Sequence, residues 1–279
     1  MSETDGQGGA PARTLCTGAR IPQLGLGVWR VPDGPDCERA VRWALDCGYR
    51  LIDTAQAYGN EASVGRAIRA SAIPREEIFL STKFYPGRAD PQAEAVQSLK
   101  RLAMDYIDLY LVHWPQGGPT WAWPGMEAAV TEGLAKTIGV SNFGGSEIDA
   151  LMGTWIAPPV VNQIQVSPFE YRRALIAKSE AAGLVVQAYS PLGAGRHLRD
   201  PRVNQLAWEY QRTPAQVLIR WAIQKGLAVI TKSTRQPRIE GNLDVFDFDL
   251  DETTMSALDS LDTTGHTGAA MEGRRKWWS

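Results

Sequence analysis

Eight short apolar runs, most of them rich in β-branched residues, recur along this chain, and each is followed by a stretch with helical spacing before the next begins. They read LGLGVW, YRLID, IFLSTK, YIDLYLVH, AKTIGVS, VVNQIQ, LVVQAYS and LAVITK. This alternation constrains the fold more than any other feature, because neighbouring parallel strands need a long crossover and a helix is the usual one. Helices are predicted near residues 36–47, 60–71, 91–102, 124–132, 146–153 and 171–182, with a pair at 201–210 and 214–225 in the last cycle. Asp36 is expected to cap the first helix and Gly48 to stop it. The 279 residues suit a (β/α)₈ TIM barrel of about 250 residues, opened by a short hairpin across Thr14 to Gly27. A doubly wound open sheet is the structural rival, but its dinucleotide fingerprint G-x-G-x-x-G is missing. After Gly25 and Gly27 the sixth position is Arg30, and after Gly193 and Gly195 it is Leu198.

Residues 1–12 carry little that could pack and are expected to be disordered, leaving 13–279 as one barrel domain with 263–279 as its tail. Lys and Arg number 29 against 31 Asp and Glu, a balance that offers no basic field for nucleic acid or anionic lipid. No apolar run approaches the roughly 20 residues of a membrane helix, and the opening MSETDGQGGAPA lacks the pattern of a signal peptide. A soluble cytoplasmic protein is expected. Cys16, Cys37 and Cys47 form no C-x-x-C pair and have no nearby histidine, so they read as buried free thiols, with no metal site. Ten Trp beside only three His either fill a large core or line a cleft.

In a barrel of this kind the working face is the C-terminal end of the strands. The strand ends here deliver Trp29, Asp53, Lys83, His113, Ser141, Gln163, Tyr189 and Lys232, at intervals of 24, 30, 30, 28, 22, 26 and 43 residues. Six of those intervals fit one strand-helix unit, and the last spans two helices. Asp53, Tyr58, Lys83 and His113 together have the makings of an acid for a carbonyl oxygen. A lysine ammonium beside a phenol should lower its pKa toward neutrality, a carboxylate should keep that lysine charged, and the histidine can orient the substrate oxygen. Each has a plainer alternative, as helix cap, surface aromatic or structural ion pair. A barrel hydrolase or isomerase would need two acids at the mouth, and only Asp53 stands among the eight.

The segments IPQLGLGVW, RLIDTAQAYGNE, LSTK, DLYLVHWP, IGVSNF, VVNQIQVSPF, AYSPLG and KSTRQPRIEGNLDVFDFDL resemble those of the aldo-keto reductases, in family order, from about residue 14 to residue 262. The likeness is strongest to the bacterial 2,5-diketo-gluconate reductase type. It implies a metal-free, monomeric, NADPH-dependent carbonyl reductase with Tyr58 as general acid, Lys83 and Asp53 tuning it and His113 orienting the carbonyl. It further implies that Ser141, Asn142 and Gln163 hold the nicotinamide carboxamide, that Tyr189 stacks on the ring, and that Ser190 and Leu192 lie along the pyrophosphate. Lys232, Ser233 and Arg238 match the positions that take the 2'-phosphate, and Asn242 closes the last motif. There the family usually has Glu before the Asn, whereas Gly241 precedes Asn242 and Glu240 lies one position early. Trp29, Tyr85 and Trp114 match substrate-lining positions, while Trp121 and Trp123 suit core and pocket equally. The ending GRRKWWS places Trp277 and Trp278 either as a lid over the mouth or in a disordered end. The rival from another class is an NADPH-binding regulatory protein with little turnover, against which the complete tetrad speaks.

Overall fold

The computed structural model describes residues 11–88 and 90–264. The chain enters through an antiparallel hairpin, β1 (Ala12–Thr14) and β2 (Arg20–Pro22), and then lays down eight parallel strands: β3 (Leu24–Gly27), β4 (Leu51–Asp53), β5 (Phe79–Phe84), β6 (Ile107–Val112), β7 (Ala135–Ser141), β8 (Val161–Gln165), β9 (Val185–Tyr189) and β10 (Ala228–Thr231). They close in the order β10-β3-β4-β5-β6-β7-β8-β9, with β10 returning to pair with β3, so the sheet has no edge and the open-sheet alternative is excluded. Ala12 is part of β1, which corrects the expectation of disorder through residue 12. The hairpin begins two residues earlier than its sequence suggests, because Arg13 reaches across to the Gly226 carbonyl. Residues 1–10 and the Trp277–Trp278 tail lie outside the described residues.

The crossovers are α1 (Pro35–Cys47), α2 (Glu61–Arg69), α3 (Pro91–Leu102), α4 (Trp123–Thr131), α5 (Gly145–Met152), α6 (Arg173–Ala181), and the pair α7 (Pro201–Glu209) and α8 (Pro214–Gln224). In α1 the buried residues Cys37, Ala40, Val41, Ala44 and Leu45 recur at the spacing that puts one stripe against the barrel. Burying a Val or Leu contributes about 1.5–3 kcal/mol, so this stripe outweighs the helix's lack of a side-chain cap. Asp36 is not the cap: the helix starts at Pro35, whose fixed φ and missing N–H suit the first helical position. Gly48 does end it, at φ 114°, with its N–H donating to the Leu45 carbonyl. Two further helices, α9 (Gln236–Leu243) and α10 (Glu252–Asp259), were not foreseen; α9 packs on α1 and α8.

Inside the barrel, Leu51, Leu109, Leu111, Val161, Val185 and Ile230 form an apolar filling, closed at the N-terminal end by Leu15 and Ile21 of the hairpin segment. Space there is tight. A Cβ on Gly27 would sit 2.6 Å from Ile230 Cγ2, and one on Gly139 2.7 Å from the Val161 carbonyl oxygen, so these glycines mark close approaches between neighbouring strands. With its lower end plugged, the barrel leaves its polar residues to the C-terminal mouth.

Candidate active site

The parallel register of β4 with β5 sets the heart of the mouth. Asp53 ends β4 opposite Ser81 on β5, and Lys83, two residues further along β5, points to the same face because strand side chains alternate. Lys83 is fully buried, and its Nζ donates to Asp53 Oδ2 at 2.7 Å and to the Thr54 carbonyl at 2.8 Å. Asp53 Oδ1 accepts from Ser81 Oγ at 2.7 Å and from Gln163 Nε2 at 2.9 Å, so both carboxylate oxygens are matched. Burial pushes the Lys83 ammonium below its usual range, while the Asp53 charge and hydrogen bond and the Glu61 charge oppose that fall.

Tyr58 closes the 3₁₀ turn Gln56–Tyr58 that follows β4, with Gly59 at φ 69° taking the chain back toward α2. Asn60 anchors the turn. Its amide donates to the Val28 and Val31 carbonyls at 2.9 and 2.8 Å and accepts from Thr54 Oγ1 at 2.7 Å. The Tyr58 ring lies 5.1 Å from Lys83 Nζ and meets His113 edge-on, centroids 5.7 Å apart. The structure corrects the expected direction of the Tyr58 pKa. Burial first, then the Asp53 charge and the neighbouring Tyr189, push the phenol well above its ordinary value. The nearby ammonium does not outweigh this, because Asp53 pairs with that cation at 2.7 Å. His113 is held neutral, its pKa driven well below the usual 6.5 by burial and then by the Lys83 charge.

The next strand ends form a second polar set. Asn142, at φ 62°, donates from Nδ2 to the His113 carbonyl at 3.1 Å and to Ser141 Oγ at 3.0 Å, and its Oδ1 accepts from the Tyr189 hydroxyl at 2.8 Å. Ser141 Oγ donates to the Gln163 carbonyl at 2.9 Å, and Gln163 Nε2 also donates to Gln187 Oε1 at 2.6 Å. The side of the mouth bounded by β7, β8 and β9 is therefore a fixed polar wall carrying the Tyr189 ring. Ser190, at φ 51°, and Leu192 follow on the loop after β9.

Beyond β10 stands a cationic corner. Lys232 is exposed, and partial desolvation together with the neighbouring Arg30 guanidinium pushes its ammonium down. Arg30 lies 4.4 Å from the Trp29 ring. Lys232, Arg30 and Arg238 form no ion pair with another described residue. Ser233 Oγ accepts from the Arg235 N–H at 3.1 Å and stays beside the start of α9, which carries Arg238 and the buried Asn242. A Cβ at Gly241 would meet nothing within 4 Å, so the space beside Asn242 is open, and Glu240 accepts from Gln236 Nε2 at 2.9 Å.

Of the aromatic residues, Trp29, Tyr85 and Trp114 are half-buried at the mouth. Trp114 stacks on His113 with centroids 6.2 Å apart, and Tyr85 meets it edge-on at 6.4 Å. Gln56, missed in the sequence, accepts from the Tyr85 N–H at 3.1 Å and ties that loop to α3 through Ser98. Trp123 is core, 1% exposed, whereas Trp121 packs edge-on against Phe84 at 5.7 Å. Cys37 is buried and its thiol is pushed up to about 12, chiefly by desolvation; Cys47 is half-buried, and Cys16 is exposed, against the expectation of three buried thiols. Among the described residues no helix is long and apolar enough to cross a membrane.

The aldo/keto reductase family model matches residues 23–263, which takes in every strand of the closed barrel. The chain belongs to that family. It is accordingly an NADP(H)-dependent oxidoreductase. An aldo-keto reductase of Mycolicibacterium smegmatis is 45% identical over 269 residues, covering 94% of this chain and 95% of that protein. A 9,11-endoperoxide prostaglandin H2 reductase of Trypanosoma cruzi is 40% identical over 91% of this chain and 93% of its own length. The crystal structure of an aldo/keto reductase from Brucella melitensis superimposes with a TM-score of 0.87 at 39% identity, covering 91% of this chain and 100% of that one. None of these three is by name a 2,5-diketo-gluconate reductase.

Proposed function

We propose that this chain, as a cytoplasmic monomer, reduces aldehydes or ketones to alcohols with NADPH, and that Tyr58 supplies the proton. The observation that carries the reading is the gathering of Tyr58, the buried Lys83–Asp53 pair and the neutral His113 at one end of a closed barrel. A hydride is supplied by the reduced nicotinamide of bound NADPH. Tyr58, kept protonated by burial and by the Asp53 charge, donates its hydroxyl proton to the carbonyl oxygen as negative charge develops there. The tyrosinate left behind lies beside the Lys83 ammonium, 5.1 Å from the ring, so the cation offsets part of the cost of holding that anion in a buried site. His113, being neutral, can direct one ring N–H at the same oxygen without competing as an acid.

The residues present fit the cofactor. Ser141, Asn142 and Gln163 would hold the carboxamide, and Tyr189, pinned through its hydroxyl to Asn142, would cover one face of the ring so that the other meets the substrate. Ser190 and Leu192 would follow the pyrophosphate. Lys232, Ser233 and Arg238 would take the 2'-phosphate, with Asn242 at the adenosine end, and Arg30 adds a cation to the same corner. Cations gathered without carboxylate partners among the described residues are what a phosphate needs. Trp29, Tyr85 and Trp114 would line the substrate cleft, flat and apolar above a polar floor. The likeness to the 2,5-diketo-gluconate reductase type is part of this reading, and a panel of aldehydes, ketones and keto acids tests it.

Tyr58→Phe tests the core of the proposal through loss of NADPH absorbance with a reactive aromatic aldehyde. Turnover should fall on the order of 10²- to 10⁴-fold, with NADPH binding nearly unchanged. Turnover within threefold of wild type removes Tyr58 from the role.

A further inference from the structure

Gln187 lies on β9 in register with Gln163 on β8, and its side chain is completely shut off from solvent. Its Oε1 accepts from Gln163 Nε2 at 2.6 Å, while its own Nε2 has no hydrogen-bond partner among the described residues. An apolar side chain of the same length would carry no such unmet group, so a buried amide half satisfied in this way marks a position held for something other than stability. The Gln163 amine has two hydrogens. One goes to Asp53 Oδ1 at 2.9 Å and the other to Gln187, so the plane of the Gln163 amide is set from two sides. Its carbonyl oxygen is then the end left for a ligand.

We propose that Gln187 is a positioning residue for the cofactor. By accepting one amide hydrogen of Gln163, it fixes that amide so that the other hydrogen stays on Asp53 and the carbonyl oxygen is presented to the carboxamide N–H of NADPH. Without Gln187 the Gln163 side chain keeps only its Asp53 contact and can turn about it. The same row, Ser81 to Asp53 to Gln163 to Gln187, joins the wall that receives the cofactor to the carboxylate that holds Lys83. The inference rests on the reading of Gln163 as a carboxamide-binding residue.

A double-mutant cycle of Gln163→Met and Gln187→Met decides it, with NADPH dissociation constants read from quenching of tryptophan fluorescence. Gln187→Met should weaken NADPH binding roughly three- to tenfold in the wild-type background, about what one neutral hydrogen bond contributes, and by less than about twofold once Gln163 is Met. Equal weakening in both backgrounds, or none in either, overturns the positioning role. Gln163→Met binding NADPH as tightly as wild type overturns instead the carboxamide reading on which the role depends. Should Gln187→Met fail to fold, Gln187→Asn keeps a polar side chain while withdrawing the acceptor by one methylene. The same cycle with that variant supports or overturns the role by the same outcomes.

Discussion

Replacing Lys83 by Met should unfold this protein more readily as well as stop it working, and the two effects can be separated. The Lys83 side chain is wholly buried and that of Asp53 is 5% exposed, so the pair is a buried one with its hydrogen bonds satisfied: Nζ to Asp53 Oδ2 at 2.7 Å and to Thr54 O at 2.8 Å. Removing one partner of such a pair leaves a buried charge without compensation, at about 3–5 kcal/mol. That is a large part of the roughly 5–15 kcal/mol by which native proteins exceed their unfolded states. Met nearly matches lysine in length, so little of the loss comes from a cavity. The variant Lys83→Met/Asp53→Asn restores neutrality, and its amide oxygen can still accept from Ser81 and Gln163. Unfolding in urea, followed by tryptophan fluorescence, should place Lys83→Met about 3–5 kcal/mol below wild type and the double variant at least about 2 kcal/mol above the single one. Turnover should return in neither, since both lack the cation that receives the tyrosinate. A single variant within about 1 kcal/mol of wild type, or a double variant at the sum of the two single losses, would refute a charged, coupled pair at this depth.

Arg238→Ala should weaken NADPH binding by about ten- to a hundredfold while leaving NADH nearly indifferent, because one charge-assisted hydrogen bond contributes roughly 1.5–3 kcal/mol; equal changes for the two cofactors would take the 2'-phosphate away from this residue. Stability should decline on the acid side because burial holds the folded pKa of His113 well below 6.5, and that of half-buried His197 below it. The stabilisation is fully present above the unfolded value near 6.5 and is lost as pH falls from there toward the folded values, by up to about 1.4 kcal/mol per pH unit for each histidine. Urea midpoints at pH 7.5 and 5.5 should differ less in His113→Gln than in wild type, and an equal difference would clear His113 of the effect.

The fold was legible because period and punctuation carry it. Runs such as IDLYLV can only be buried strands between the helices that flank them, and Pro91, Pro201 and Pro214 mark helix starts that the structure keeps. Where punctuation misled, the cause was local: Asp36 resembles a cap, but Pro35 before it already suits the first helical turn. The helix at 236–243 escaped because KSTRQPRIEGNLDVFDFDL stands out for its charged and polar residues more than for any helical period, and the one at 252–259 because DETTMSALDS, just beyond it, has few apolar residues to mark a face.

At the mouth, the sequence could name residue types at strand ends but not how they are partnered. Gln163 was readable as a strand-end polar group. That its amine lies between Asp53 and Gln187 depends on β8 and β9 being in register, which no spacing within either strand reveals. The same gap explains the reversed Tyr58 pKa. A lysine near a phenol brings its pKa below the ordinary value only if the cation's pull outweighs the cost of burying the phenolate, and here Asp53 offsets much of that pull while burial sets the cost. The reversal suits the reaction better than the expectation did. A phenol already ionised near pH 7 would have no proton to give, whereas one held protonated until charge develops on the substrate oxygen can donate it beside a cation placed to receive the anion left behind.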